Sequence, residues 1–280
     1  MERLTSPATM RAWSDEQRRR GRRLAMVPTM GALHDGHLHL IEVARQHGDE
    51  VVVSVFVNSL QFNRRDDFDA YPRPIDDDAD ACAAAGVGAL YVPTAAAMYP
   101  EGFETHVEPG RLAEPMEGAG RPGHFRGVTT VVAKLLNAAV PHVAVFGRKD
   151  YQQLAIVRQM VADLDMGVEI IGVPTVREAD GLALSSRNRR LTPAQRAAAI
   201  CIPRGLTAAR ELHAAGEHDA TTLRAAVESR ITAEPLARLE YVELVHPTTL
   251  QALDHATHAV IAVAVWFGDV RLIDNVEMTS

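Results

Sequence analysis

The chain has 280 residues, is 47% hydrophobic and 23% charged, and carries a formal net charge of −7. That length buries one large core or two modest ones, and the acidic balance argues against nucleic acid, which needs a dominant basic surface. No run reaches membrane-span length, Met1 to Arg23 lacks the apolar core of a signal peptide, and the two cysteines, Cys82 and Cys201, show no disulfide or metal spacing. The expectation is a cytoplasmic protein with neither nucleic acid nor membrane as partner.

Taken in chain order, residues Ser14 to Arg20 read as a short exposed helix, with the arginines from Arg18 to Arg23 on a solvated face. Leu24 to Val27 reads as a buried strand, and a helix follows over Gly36 to Gln46. Between them lies Pro28-Thr29-Met30-Gly31-Ala32-Leu33-His34-Asp35-Gly36-His37, a strand-to-helix turn with two histidines one helical turn apart. The unpartnered N–H groups of a helix start attract phosphate. Two histidines there suit phosphoryl or nucleotidyl transfer, in which charge builds on phosphoryl oxygens. A zinc pair usually has i, i+4 spacing with a glutamate between, so this spacing, with Gly36 inside it, argues against metal.

Glu50 to Val57 is a nearly continuous, β-branched run, as expected for a parallel strand buried on both faces. Asn58 to Asn63 leads into a polar loop ending at Tyr71-Pro72-Arg73-Pro74, and a helix is expected over Ile75 to Ala85. Its early aspartates, Asp76, Asp77, Asp78 and Asp80, fit the helix dipole equally well as a hydrated Mg²⁺ escorting a nucleotide. A strand over Ala89 to Val92 follows, then loop to Glu117, a glycine-rich basic loop over Gly120 to Gly127, and a helix over Val128 to Ala138. Strand His142 to Phe146, the turn Gly147 to Gln153, a helix to Ala162 and strand Val168 to Val173 complete a doubly wound pattern. Met30–His37, Asn58–Gln61, Gly147–Gln153 and Leu184–Arg187 each follow a predicted strand, at the edge where ligands of open parallel sheets bind.

Beyond Thr175 to Arg190, read as loop, Thr192-Pro193 caps a long alanine-rich helix to Ala214, with Pro203 expected to kink or break it. A helix over Ala220 to Ala233 and strands over Leu239–Leu244, Ala259–Val265 and Val270–Ile273 read as a separate α+β domain. The expected fold is therefore α/β: a Rossmann-like doubly wound parallel sheet domain over residues 1–176 and a smaller C-terminal α+β domain over 177–280.

His34-Asp35-Gly36-His37 after a strand resembles the signature of the nucleotidylyltransferase superfamily. The stretches Pro28–His37, Phe56–Asn58, Gln61–Phe62, Tyr71–Arg73, Met98–Pro100, Arg121–Gly127, Lys149–Gln153, Val173–Glu178, Asp180–Ala183, Ser185–Asn188 and Arg271–Asn275 together resemble one family closely, pantothenate synthetase (pantoate–β-alanine ligase). The resemblance implies a C-terminal domain that closes as a lid and a homodimer. The implied reaction joins pantoate to ATP as pantoyl adenylate, with release of pyrophosphate, after which β-alanine displaces AMP to give pantothenate.

Carried over by position, Met30, Gly31, Ala32, Leu33, His34, Asp35, Gly36 and His37 would hold ATP, together with Gly147, Arg148, Lys149, Asp150, Val176, Leu184, Ser185, Ser186 and Arg187. His37, His34 and Lys149 would be catalytic. Gln61 and Gln153, beside Asn58, would bind pantoate, and Gln61 would also face β-alanine. Asp77 or Asp78 would reach Mg²⁺ through water. Ser59, Asn63, Arg148, Leu184 and Arg190 depart from the family pattern; Arg148, where a glutamate is usual, is expected to face solvent or a local acid and leave Lys149 in place. The alternatives are another superfamily adenylyltransferase, which the Gln61/Gln153 pair argues against, a tRNA-charging relative, which the acidic charge argues against, and a non-catalytic relative, which the retained histidines, lysine and serines argue against.

Overall fold

The apolar runs fold as one parallel sheet. In the computed structural model, which describes residues 1–279, its strands are β1 (Glu2–Leu4), β2 (Leu24–Thr29), β3 (Glu50–Val55), β4 (Ala89–Tyr91), β5 (Val143–Gly147) and β6 (Glu169–Val173). They lie in the order β1-β4-β3-β2-β5-β6, and every pairing is parallel. From β2 the chain steps outward through β3 to β4, then returns to place β5 on the other side of β2. The strand order therefore reverses between β2 and β5, the position where open α/β sheets form a ligand crevice beyond the strands' carboxyl ends.

Alternation along the strands explains the helices on both faces. Ala25, Val27, Val51, Val53 and Val145 share a cluster with Ile41 and Cys82, from helices Asp35–His47 and Ile75–Ala84. Leu24, Met26, Val52, Ala144 and Phe146 turn the other way, onto Met10 and Trp13 of helix Pro7–Arg19 and onto helices His124–Ala139 and Tyr151–Asp163. Successive side chains of a strand point to opposite faces, so a run that is apolar throughout has to be covered twice.

The chain divides into two compact units. The first comprises Met1–Arg148 and Gln152–Pro174; the second comprises Lys149–Tyr151 and the chain from Thr175 onward. The second unit is an antiparallel sheet of β7 (Ala237–Val245), β8 (His258–Phe267) and β9 (Val270–Thr279), with helices Pro193–Ala198, Cys201–Ala214 and Ala220–Thr232. Ala259, Ile261, Val263, Val265 and Phe267 of β8 pack with Ile202, Leu206, Leu223, Val227 and Ile231 of the helices. The fold class is the expected one, a parallel α/β sheet with a smaller α+β unit.

Several elements differ from expectation. The first helix starts at Pro7, where Ser6 and Thr9 form a capping box. The supposed loop before Val128 is helical from His124, and a short helix, Arg65–Asp69, lies inside the polar loop before Tyr71. The long alanine-rich helix ends at Ala198 and restarts at Cys201, so that Pro203 falls in a first turn, where its missing N–H costs little. No helix among the described residues is long and apolar enough to cross a membrane.

Candidate active site

The turn after β2 is fixed by side chains distant in sequence. The Thr29 hydroxyl donates to the Ser54 carbonyl at 2.7 Å and accepts the Gly31 N–H at 3.1 Å. Gly31 and Ala32 then adopt successive left-handed conformations, with φ of 83° and 51°. For alanine that conformation costs roughly 1–2 kcal/mol. Asp78 offsets it: its buried carboxylate accepts the Ala32 N–H at 2.9 Å and the Leu33 N–H at 2.7 Å. A Cβ at Gly31 would stand 2.8 Å from both Asp78 Oδ2 and Val55 Cγ1, so only glycine fits.

His34 caps the helix that follows, and His37 lies in its first turn. Their ring centroids are 4.1 Å apart. The His37 Nδ1 accepts the His34 backbone N–H at 3.3 Å. Neutral His37 therefore carries its proton on Nε2, which makes that atom a donor. Both rings are half-buried at the β2 end of the strand reversal, beside a helix N-terminus that favours negative charge.

Asn58 and Gln61 follow β3 and are both buried, at 1% and 9% exposure. Asn58 Nδ2 donates to Gln61 Oε1 and to the Gly127 carbonyl, each at 3.0 Å. Gln61 Nε2 lies 3.2 Å from the Met30 sulfur, so the structure brings the expected acid-binding glutamine against the histidine turn. A side chain at Gly127 would collide with the Leu60 carbonyl; this close approach explains a glycine inside a helix.

Gln152 and Gln153 differ sharply. Gln152 is buried; its Oε1 accepts the Glu117 N–H at 3.0 Å and its Nε2 donates to the Leu112 and Pro115 carbonyls, each at 2.8 Å. Its amide is committed to the protein, whereas Gln153 is half-exposed. Gly147 ends β5 opposite Val173, and the Nε–H of Arg148 donates to the Gly172 carbonyl at 3.1 Å. That bond ties the Arg148 side chain to a strand carbonyl.

In the second unit, Lys149 Nζ is 3.9 Å from the Asp150 carboxylate, and the Lys149 carbonyl accepts from Asn275 Nδ2 at 2.9 Å. Leu184–Arg187 does not follow a sheet strand directly: a turn closed by pairing of Arg177 with Ala183 intervenes, and the Leu184 N–H donates to the Val176 carbonyl at 3.0 Å. Arg177 clamps Asp274 with two bonds, of 2.6 and 3.0 Å. Burial pushes the Asp274 carboxyl upward in pKa, and the guanidinium and the Asn275 N–H oppose that shift. Arg196 bonds Glu178 and Asp180 at 2.7 Å each, and Asn188 ties Glu178 to the Ala183 carbonyl. The Ser185 hydroxyl accepts the Arg187 N–H at 3.2 Å, so the serine–arginine stretch is a built turn on a charged frame.

The two aspartates expected to reach Mg²⁺ through water sit differently. Asp78 is an internal anchor with both oxygens taken by backbone N–H groups, because the left-handed turn needs acceptors there. Asp77 is exposed, and no group of three or more His, Cys, Asp or Glu among the described residues is arranged to hold a metal. A water-mediated contact to Mg²⁺ carried by nucleotide phosphates, the form the expectation took, needs no such group.

A model of the pantoate-beta-alanine ligase family matches residues 2–277. The chain belongs to that family. It is 51% identical to the pantothenate synthetase of Heliobacterium modesticaldum, with 98% of each chain covered, and 49% identical to that of Moorella thermoacetica over 99% and 98%. Among solved structures, a pantothenate synthetase from Thermus thermophilus matches with TM-score 0.94 and 45% identity over all of both chains. A pantoate-beta-alanine ligase from Francisella tularensis, solved with β-γ ATP and β-alanine, matches with TM-score 0.82 and 34% identity over 99% and 97%. The frame residues Asp78, Gln152, Arg177, Arg196 and Asp274 were not legible as such, since their partners are distant in sequence. The nearest signal was the run of mixed charge from Arg177 to Asp180, in a stretch otherwise read as loop.

Proposed function

We propose that the chain condenses pantoate with β-alanine at the expense of ATP, through pantoyl adenylate, releasing pyrophosphate and AMP. One observation carries this reading: an intact, internally anchored histidine turn stands at the switch point of a chain that matches the ligase family from end to end.

A free carboxylate is a poor acyl donor because oxide is its leaving group; adenylation replaces oxide with AMP. The pantoate carboxylate oxygen attacks the α-phosphorus and the bond to pyrophosphate breaks. His37 Nε2–H and the turn's helix N-terminus stabilise the charge that develops on the phosphoryl oxygens. Lys149 adds a positive charge, and Ser185, Ser186 and Arg187 offer donors for the departing phosphates. Gln61 and Gln153 bind the acid without adding a nucleophile that would intercept the acyl adenylate. The amine of β-alanine then attacks the acyl carbon, a proton leaves the amine, and AMP departs with the oxygen it received. ATP enters as its Mg²⁺ complex, the metal being carried by the phosphates. The family resemblance further supports a cytoplasmic homodimer.

Carboxylate-¹⁸O pantoate tests the reading. One labelled oxygen is expected in AMP, together with exchange of pyrophosphate into ATP when pantoate is present and β-alanine absent. Release of ADP, or unlabelled AMP, refutes it.

A further inference from the structure

The polar chain behind Gln61 has a direction that can be read without reference to any ligand. The Gly127 carbonyl only accepts, so the Asn58 atom facing it at 3.0 Å is nitrogen. The Leu60 N–H only donates, so the atom facing it at 3.3 Å is the Asn58 oxygen. That oxygen also lies 2.7 Å from the Tyr99 hydroxyl, which must then be the donor. The second Asn58 hydrogen goes to the Gln61 side chain at 3.0 Å, which fixes the Gln61 atom there as Oε1. The Gln61 NH₂ group is thereby turned outward to the Met30 side, where the thioether is a weak acceptor.

Tyr99 is the strong end of this chain. With its hydroxyl gone, Asn58 Oδ1, at a residue 1% exposed, would keep only the longer Leu60 bond. The ring itself is well held, packed against Phe56 and Phe103 at centroid distances of 6.1 and 5.0 Å. The Lys134 ammonium lies over both Tyr99 and Phe103, 6.0 and 5.0 Å from their centroids. The Gln61 backbone is clamped as well: its carbonyl accepts from His124 Nδ1 at 2.7 Å and from Arg121 Nη2 at 3.2 Å. Only the side-chain amide needs the relay.

We propose that Tyr99 is a positioning residue for the acid substrate: its hydroxyl holds Asn58, and Asn58 holds Gln61 as an obligate donor, so that the substrate atom met there must be an acceptor oxygen. This rests on the reading that Gln61 binds pantoate.

The test is a cycle of Tyr99→Phe, Gln61→Ala and the double variant, with KM for pantoate, KM for ATP, kcat and melting temperature measured for each. Tyr99→Phe is expected to raise KM for pantoate on the order of tenfold, the value of about one well-made hydrogen bond, and to leave KM for ATP within about twofold. In the Gln61→Ala background Tyr99→Phe should add nothing, because the relay then ends on no amide. Additive effects, an equal rise for both substrates, or no rise for pantoate would overturn the proposal. Gln61→Glu keeps the acceptor that faces Asn58 and removes the outward donor; pantoate affinity equal to wild type would overturn the assigned direction. Should Tyr99→Phe fail to fold, Asn58→Asp, which sets an oxygen against Gln61 Oε1 and the Gly127 carbonyl, is read by the same split between substrates. If Gln61→Ala itself leaves pantoate unaffected, the underlying binding assignment fails; if it weakens pantoate and Tyr99→Phe does not, the relay alone fails.

Discussion

Replacing Asp78 by asparagine separates an anchor from a metal-binding role. The native carboxylate accepts the Ala32 N–H at 2.9 Å and the Leu33 N–H at 2.7 Å, at a residue 2% exposed. Asparagine keeps one acceptor oxygen and sets an amide NH₂ against the other N–H, so one charge-assisted bond is lost and the other becomes neutral. A hydrogen bond to a charged group contributes about 1.5–3 kcal/mol. Relief of the buried charge offsets part of any excess, leaving a destabilisation of roughly 2 kcal/mol, or about 4–8 °C in melting temperature for a domain of this size. Because the two N–H groups belong to the left-handed turn, KM for ATP should rise as well, and by the same factor at every Mg²⁺ concentration. The assay is thermal unfolding alongside ATP saturation curves at several fixed Mg²⁺ concentrations. Wild-type stability together with a shifted Mg²⁺ requirement would refute the reasoning and return Asp78 to the metal.

The two neighbouring glutamines should fail differently: Gln152→Ala strips the three hydrogen bonds of a buried side chain and should lower the melting temperature, whereas Gln153→Ala should leave it unchanged and raise KM for pantoate far more than KM for ATP, as separate melting and saturation measurements will read. His142 provides a pH test. Burial and the nearby Arg18 and Arg23 hold its pKa below the ordinary histidine value, with Asp49 opposing, and its Nδ1 accepts the Leu24 N–H at 2.9 Å. Because the unfolded chain takes up the proton first, the contribution of His142 is complete above about pH 6.5 and falls as the pH drops from there toward the folded pKa. Urea unfolding of wild type and His142→Asn across that range should show their stability difference shrinking on acidification; a constant difference would refute the assignment.

The strands through the centre of the sheet were legible because a strand covered on both faces is apolar along its whole length, as in Glu50–Val55. β1 was not, since Glu2 and Arg3 are exposed at the sheet edge and its pairing is with β4 alone. The start of helix His124–Ala139 was hidden by Gly127, a residue chosen by the Leu60 carbonyl and not by helix propensity. In the site, the histidine turn announced itself through spacing and glycines. Asp76, Asp77, Asp78 and Asp80 looked alike in sequence, and only the docking of their helix singles out Asp78. Arg177 and Asp274 likewise share no local pattern; a bidentate pair joining a turn to β9 is a fact of tertiary structure.

The Asp78 contact also bears on how the protein comes into being. The histidine turn leaves the ribosome early, yet Asp78, the carboxylate that fixes its shape, lies 46 residues beyond Ala32. A nascent or truncated chain ending before helix Ile75–Ala84 holds both histidines and Gly31, but no carboxylate to hold Ala32 in its left-handed conformation. The shape of the turn is thus a late product of synthesis, set when Asp78 docks and not when residues 30–37 are made.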